Sequence, residues 1–176
     1  MRRALRLHPD SHRDAVARIE VEAARPEPGR LVLHYVLTGR TGEILWPSPA
    51  ESARTDELWR HTCLELFLRP AGDPGYYEFN FSPSTQWAAY RFDGYRAGMA
   101  PAEVLPNIAV RPSGDRFEMD VELALAEIAD ATLRLGLAAV VEEKGGRMSY
   151  WALNHPSGKP DFHHADGFAL ELAASP

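Results

Sequence analysis

The segment 54–95 carries the polar side chains whose types and spacing are best suited to contact a ligand. They are His61, Glu65, Glu78, Asn80 and Arg91. An imidazole, two carboxylates, an amide and a guanidinium can donate and accept hydrogen bonds with neighbouring hydroxyl groups. This set predicts a binding site for a small hydroxylated ligand, and a sugar or glycoconjugate is the class that it suits best.

Three tryptophans are candidates for the walls of such a site. Trp46 and Trp59 flank the proline-bearing loop 47–57, and Trp151 precedes a second polar loop. An aromatic face can cover the C–H side of a sugar ring, and loops commonly carry such binding residues. The alternative for each tryptophan is that it fills the hydrophobic core.

Motifs of catalysis are missing from the sequence. The Gly-Lys-Pro run at 158–160 lacks the pattern of a phosphate-binding loop, and neither H-E-x-x-H nor G-x-S-x-G occurs. Glu65 and Glu78 facing each other would also suit a glycosidase, whose two carboxylates flank the scissile bond. Without a further catalytic set, we predict a non-catalytic binding protein.

A late loop gathers three residues with the chemistry of metal ligands: His163, His164 and Asp166. Side chains of adjacent residues on an extended chain point to opposite sides, so the two histidines would not converge on one ion. We therefore predict no metal site.

Hydrophobic spacing indicates how the polar residues would be positioned. The leucines of 64–68 occupy every second position, which places Glu65 on the opposite face of a strand. By the same argument Glu78 and Asn80 share the outer face of the next strand. A solvated sheet face, on which opposite charges satisfy one another, would show the same pattern, and the sequence leaves both interpretations open.

Alternation of this kind extends over most of the chain and predicts about ten strands, including short strands at 44–46 and near the C-terminus. Only 124–131 has a helical composition. Many short strands separated by glycine- and proline-bearing turns predict an all-β protein, built as an antiparallel β-sandwich of immunoglobulin-like or jelly-roll type.

The composition narrows the classes of partner and compartment. The chain has 176 residues, 45% apolar content and a formal net charge of −6, which predicts one domain over 1–176 and argues against binding to nucleic acid or an anionic membrane. Pro9 and Asp10 interrupt the basic start before any apolar stretch, and Cys63 is the only cysteine. These features predict a cytoplasmic location.

Several segments together resemble a known family. They are LWRHTCLELFLRP, YYEFNFSPSTQWAAYRF, RFEMDVELAL and YWALNHPSGKPDFHHADGFALEL. From Val16 to Leu172 the chain resembles bacterial DOMON-like proteins, which are similar to family-nine carbohydrate-binding modules. The resemblance implies a β-sandwich that binds a sugar or haem, and it does not imply catalysis. Thr62 stands where the related modules often carry an acidic residue, which argues against a structural calcium site there.

Two alternatives follow from the same resemblance and the same fold class. Haem-binding relatives use a methionine–histidine pair, for which Met99 with His163 or His164 is the candidate here. An interaction module that pairs through an exposed sheet edge would instead form a homodimer. Apart from haem in the first alternative, no cofactor is predicted.

Overall fold

Two antiparallel β-sheets packed face to face form the structure, as the sequence predicted. The computed structural model describes residues 1–12 and 14–174. Within these ranges every pairing between strands is antiparallel, and the helical segments are short 3₁₀ turns. The all-β antiparallel sandwich is therefore confirmed.

The smaller sheet has five strands. They are β1 (Arg2–Ala4), β3 (Val16–Glu27), β4 (Arg30–Gly39), β9 (Asn107–Ser113) and β10 (Arg116–Ala124). Their order across the sheet is β1-β3-β4-β10-β9. The tight turn from β3 to β4 requires a left-handed backbone at Gly29 (φ +72°), a conformation that glycine adopts without a steric penalty.

The larger sheet has eight strands. They are β2 (Arg6–Leu7), β5 (Cys63–Pro70), β6 (Tyr76–Phe81), β7 (Trp87–Phe92), β8 (Ala100–Pro101), β11 (Leu133–Glu142), β12 (Met148–Ala152) and β13 (Leu170–Leu172). Seven of them run in the order β2-β12-β11-β5-β6-β7-β8, and β13 pairs with β11. The 13 strands of the described residues exceed the predicted ten because β1, β2 and β8, which span only two or three residues each, were not predicted.

The main core lies between the two sheets. Residues of both sheets contribute to one buried cluster, with Ile19 and Leu33 from the smaller sheet and Leu66 and Phe79 from the larger. Because side chains alternate along a strand, the larger sheet must present a second set of residues on its outer face. That outer face carries a separate apolar cluster around Phe67 and Tyr76.

Two predicted elements differ from the structure. Instead of a strand at 44–46, the chain makes a 3₁₀ turn at Thr41–Glu43, and Ile44 then forms an isolated bridge to Glu143. The helical composition of 124–131 yields only the 3₁₀ turn Ala126–Ile128, because β10 runs to Ala124 and β11 begins at Leu133.

In the described part of the chain, no helix has the length and apolar character that crossing a membrane would require.

Candidate functional site

A cavity of about 1190 Å³ opens on the outer face of the larger sheet. Strands β5, β6 and β7 form its floor, on which Glu65, Glu78 and Tyr90 lie among phenylalanines. The loop that ends in the 3₁₀ turn Leu58–Arg60 and the segment 160–163 contribute walls. The sheet face that carries the predicted polar residues is thus concave, and its surface is mostly apolar. Small-molecule pockets usually have this character.

Strand alternation and register bring the two glutamates to this floor. In β5, Leu64, Leu66 and Leu68 face the main core, so Glu65 faces outward. In the pairing of β5 with β6, Glu65 is opposite Asn80 and Phe67 is opposite Glu78. The two glutamates are therefore diagonal neighbours on adjacent strands.

Glu65 is the more deeply buried of the two carboxyls. Only 2% of the residue is exposed, and its Oε1 has no hydrogen-bond partner. Burial raises the pKa of Glu65 well above its usual value, and the nearby Glu78 raises it further. A buried acceptor without a donor is unfavourable in the free protein, so the carboxyl is suited to receive a hydrogen bond from a ligand.

Glu78 is held by its strand neighbour and faces a histidine. Its Oε1 accepts a hydrogen bond from Nδ2 of Asn80 (2.8 Å), and its Oε2 lies 3.7 Å from Nε2 of His163. Burial raises the pKa of Glu78, whereas the hydrogen bond from Asn80 opposes that rise. Asn80 therefore fixes one oxygen and leaves the other toward the histidine and the cavity.

His163 presents a neutral imidazole to the cavity. Burial, and then the charge of Arg96, lowers the pKa of His163 to about 4. Its Nδ1 lies 2.7 Å from the hydroxyl of Tyr76, which accepts a hydrogen bond from the backbone N–H of Arg96. The hydroxyl proton is thus available to Nδ1, which leaves the imidazole proton on Nε2, toward Glu78.

The rim combines aromatic faces with paired charges. Trp59 is 49% exposed and lines the mouth of the cavity, where Arg60 lies over its ring. Tyr90 donates a hydrogen bond to Asp56 (2.6 Å) and packs under Arg54. Burial and this bond raise the pKa of Tyr90, so the phenol stays protonated. The rim is thus amphipathic, as the binding of a hydroxylated ring requires.

The structure brings together part of the predicted residue set. Glu65 and Glu78 line the cavity, Asn80 positions Glu78, and Trp59 stands at the mouth. The predicted outer-face position of these strand residues is therefore correct. Whether they bind a ligand stays a prediction.

Two polar residues of the predicted set lie elsewhere. His61 precedes β5 and pairs with Glu142 at an exposed position (2.7 Å), and it does not line the cavity. Arg91 was expected on the face of Glu78, but β7 pairs with β6 so that Arg91 opposes Tyr77 and Tyr90 opposes Glu78. Arg91 consequently lies on the other face of the sheet.

Two of the predicted tryptophan walls are parts of the core. Trp46 stacks on Phe117 of the smaller sheet (4.5 Å between ring centroids), and its indole N–H donates to the carbonyl of Thr41. Trp151 is 1% exposed and belongs to the buried cluster between the sheets. Neither contributes to the cavity lining, so the structure supports the core alternative for both.

Several cavity residues were outside the predicted set. Tyr90 shares a face with Glu78, which the alternation in β7 would have shown had the register of the β6–β7 hairpin been known. His163 and Phe162 arrive from a loop, for which alternation gives no position. Arg96, with a positive φ of 52°, likewise comes from a turn.

The two adjacent histidines diverge as expected. Nδ1 of His163 contacts Tyr76, whereas Nδ1 of His164 accepts a hydrogen bond from the backbone N–H of Asp166 (3.2 Å). Among the residues that the structure describes, no three His, Cys, Asp or Glu side chains are grouped to hold a metal ion.

Comparison with known proteins finds similarity of structure alone. No protein-family model matches the chain, and no curated protein matches it by sequence. The fold is similar to that of a Bacteroides uniformis protein described as a candidate carbohydrate-binding protein, with a TM-score of 0.67 and 13% identity over 94% of this chain and 83% of that one.

The fold is also similar to family 9 carbohydrate-binding modules from Caldicellulosiruptor kristjanssonii. The module in complex with glucose gives a TM-score of 0.51 and 10% identity over 88% of this chain and 76% of that one. The module in complex with cellotriose gives 0.55 and 10% over 90% and 74%. The similarity to family-nine modules is thus confirmed for the fold, and membership of the DOMON-like branch stays a prediction.

Proposed function

We propose that this protein binds a sugar, or a molecule that carries one, in the outer cavity and releases it unchanged. One observation carries the proposal: Glu65 and Glu78 line a cavity whose floor is otherwise mostly aromatic, and Oε1 of Glu65 is buried without a hydrogen-bond partner. The sugar-bound family 9 modules of similar fold support the ligand class.

The geometry suggests how a sugar would be held. Its hydroxyl groups would donate to the carboxyls of Glu65 and Glu78 and accept from the Nε2–H of His163. Its C–H face would lie against Phe162 or the exposed ring of Trp59. In the free protein, Oε1 of Glu65 has no hydrogen-bond partner, and Oε2 of Glu78 lies 3.7 Å from His163, too far for a strong hydrogen bond.

Binding without cleavage is the second part of the proposal. Hydrolysis of a glycosidic bond uses two carboxyls in different protonation states, one acid and one ionised. Here burial raises the pKa of both Glu65 and Glu78. Among the described residues, neither carboxyl forms an ion pair with a lysine or an arginine that would keep it ionised, which favours a binding role. A cytoplasmic location is also proposed, supported by the single, unpaired Cys63.

A panel of sugars, sugar nucleotides and haemin tests the function by thermal shift, because a ligand of the native state raises the melting temperature. We expect stabilisation by one class of sugar, and about a 10- to 100-fold loss of its affinity in Glu78→Gln, since a charge-assisted hydrogen bond is removed. Glu122→Gln is the matched control, because Glu122 pairs with Arg30 on the smaller sheet (2.7 Å). Silence throughout the panel, or full affinity in Glu78→Gln, would contradict the proposal.

Haem is the second candidate because Met99 and His163 line the same cavity. A methionine–histidine pair can supply the axial ligands of haem iron. However, Nε2 of His163, the ring nitrogen left by the contact with Tyr76, faces Oε2 of Glu78 at 3.7 Å. Met99 is 63% exposed. These residues fit haem less well than a hydroxylated ligand, and a Soret band with haemin in the panel would reverse this preference.

A further inference from the structure

Charge pairing in the cavity separates its carboxylates into two groups. Each arginine of the lining already has an acidic partner: Arg54 lies 3.7 Å from Asp56, Arg60 lies 2.8 Å from Glu57, and Arg96 lies 2.9 Å from Asp161. These pairs lie around the rim and are partly exposed. Each pair is largely neutralised, and of the three arginines only Arg96 acts on a floor carboxyl, where its charge opposes the rise in the pKa of Glu78.

The two floor carboxyls lack such a partner. Among the described residues, neither Glu65 nor Glu78 forms an ion pair with a lysine or an arginine. Of the basic groups that the structure describes, only His163 pairs with either carboxyl, at 3.7 Å from Glu78, and it is neutral because burial lowers its pKa to about 4. Glu65 has an acceptor, Oε1, that is buried and has no donor.

An uncompensated pair of buried carboxyls favours a cationic ligand. Removing a carboxylate from water is strongly unfavourable unless a counter-charge and hydrogen-bond donors replace the water. An ammonium group supplies a positive charge and three donors on one atom. In the free protein, burial raises the pKa of Glu65 and favours its protonated form. A bound ammonium group would stabilise the carboxylate form, whereas a neutral hydroxyl supplies one donor and no counter-charge.

We propose that the ligand of this cavity is an amino sugar with a free amine, whose ammonium group lies between the carboxyls of Glu65 and Glu78. This inference rests on the proposed function and specifies its substrate class. The remaining hydroxyls of the ring would meet His163, and its C–H face would meet the aromatic walls.

The rest of the cavity distinguishes this ligand from other cations. A bare metal ion would need more ligands than two carboxyls, and no three His, Cys, Asp or Glu side chains of the described residues are grouped to hold one. The aromatic lining, which includes Phe67, Phe92 and Phe162, suits the C–H surface of a ring. An N-acetylated sugar lacks the positive charge that would stabilise the carboxylate forms of Glu65 and Glu78.

Calorimetric titration with glucosamine, glucose and N-acetylglucosamine tests the inference at about pH 6.5, where an amine is protonated. We expect glucosamine to bind about 10- to 100-fold more tightly than the two neutral sugars, because hydrogen bonds to charged groups are stronger than those between neutral groups. Glu65→Gln and Glu78→Gln should each reduce this preference, and Glu122→Gln should retain it. Thermal melting of each variant establishes that it folds.

The outcomes separate the inference from the function on which it rests. Equal binding of all three sugars, or a preference for glucosamine that survives in both cavity variants, overturns the amine site and leaves sugar binding in place. Failure of every sugar overturns both. If a variant does not fold, the affinities of the wild-type protein for the three ligands still test whether the cavity prefers an amino sugar.

Discussion

Two buried glutamates of this protein differ in what surrounds them. Glu65 is 2% exposed and Glu143 is 4% exposed. Glu143 accepts a hydrogen bond from the backbone N–H of Ala15 (2.9 Å) and lies 3.4 Å from Arg147. Glu65 has an oxygen with no partner. We infer that Glu143 stabilises the fold, whereas Glu65 reduces stability in exchange for a ligand site.

This contrast predicts opposite effects of one substitution. Folding raises the pKa of Glu65, so the folded state keeps its proton to a higher pH, and wild-type stability falls as pH rises above the ordinary glutamate range. Glu65→Gln should remove that loss and raise the melting temperature above pH 6.5 by about 2–4 °C, equivalent to about 1 kcal/mol. Glu143→Gln should lose about 1–3 kcal/mol.

Thermal melting over a pH series checks this prediction. Folding lowers the pKa of His163 from 6.5 to about 4, so its contribution to stability rises with pH between these values and is constant above them. Measurements above pH 6.5 therefore exclude the titration of His163. Burial also raises the pKa of Glu78, which both proteins retain, so the difference between Glu65→Gln and the wild-type protein at each pH reports Glu65. A destabilised Glu65→Gln, comparable with Glu143→Gln, would show that the carboxyl has a structural role.

At the scale of elements, the inner and outer faces of a strand could be predicted from alternation, but the register between neighbouring strands could not. The leucines of β5 identified its inner face, and hence the outer position of Glu65. Arg91 was misplaced because the five-residue connection 82–86 sets the register of β7 against β6, and a shift of one residue exchanges the two faces. The position of His163 depends on how a loop packs against the sheet, and the local spacing of residues does not predict that packing.

The loop that carries His163 packs against β11 at Gly136, which has no side chain. A Cβ at Gly136 of β11 would lie 3.1 Å from the carbonyl oxygen of Gly167 and 3.3 Å from Cβ of Phe67. Phe168, next in the chain, lies under the guanidinium of Arg69 at 4.3 Å. The glycine thus allows the segment 160–168 to approach the sheet and to carry His163 over the cavity floor.

Gly136→Ala should therefore weaken both stability and binding. We expect a loss of about 1–3 kcal/mol in the free energy of unfolding, because the loop must move outward to accommodate the methyl group. Sugar affinity should fall with it, since His163 moves with the loop. Gly42→Ala is the matched control: a Cβ there contacts nothing within 4 Å, and we expect a change within about 0.5 kcal/mol. Equal effects of the two substitutions in chemical denaturation would contradict this account.

At the scale of the whole molecule, the larger sheet uses both faces. Its inner face completes the core with the smaller sheet, and its outer face forms the cavity with loop segments. Substitutions on the outer face can therefore change binding while the core remains intact. The single domain over 1–176 and the homodimer stay predictions from the sequence, and the mass in solution measured by light scattering tests the second.

The central claim is that a sugar binds on the outer face of the larger sheet. Titration of isotopically labelled protein with glucosamine, followed by amide NMR, tests both the binding and its location. We predict saturable shifts, one ligand per chain, confined to β5, β6, β7 and the segment 160–168. Shifts centred on the smaller sheet, or no shifts with glucosamine or any other sugar, would contradict the account.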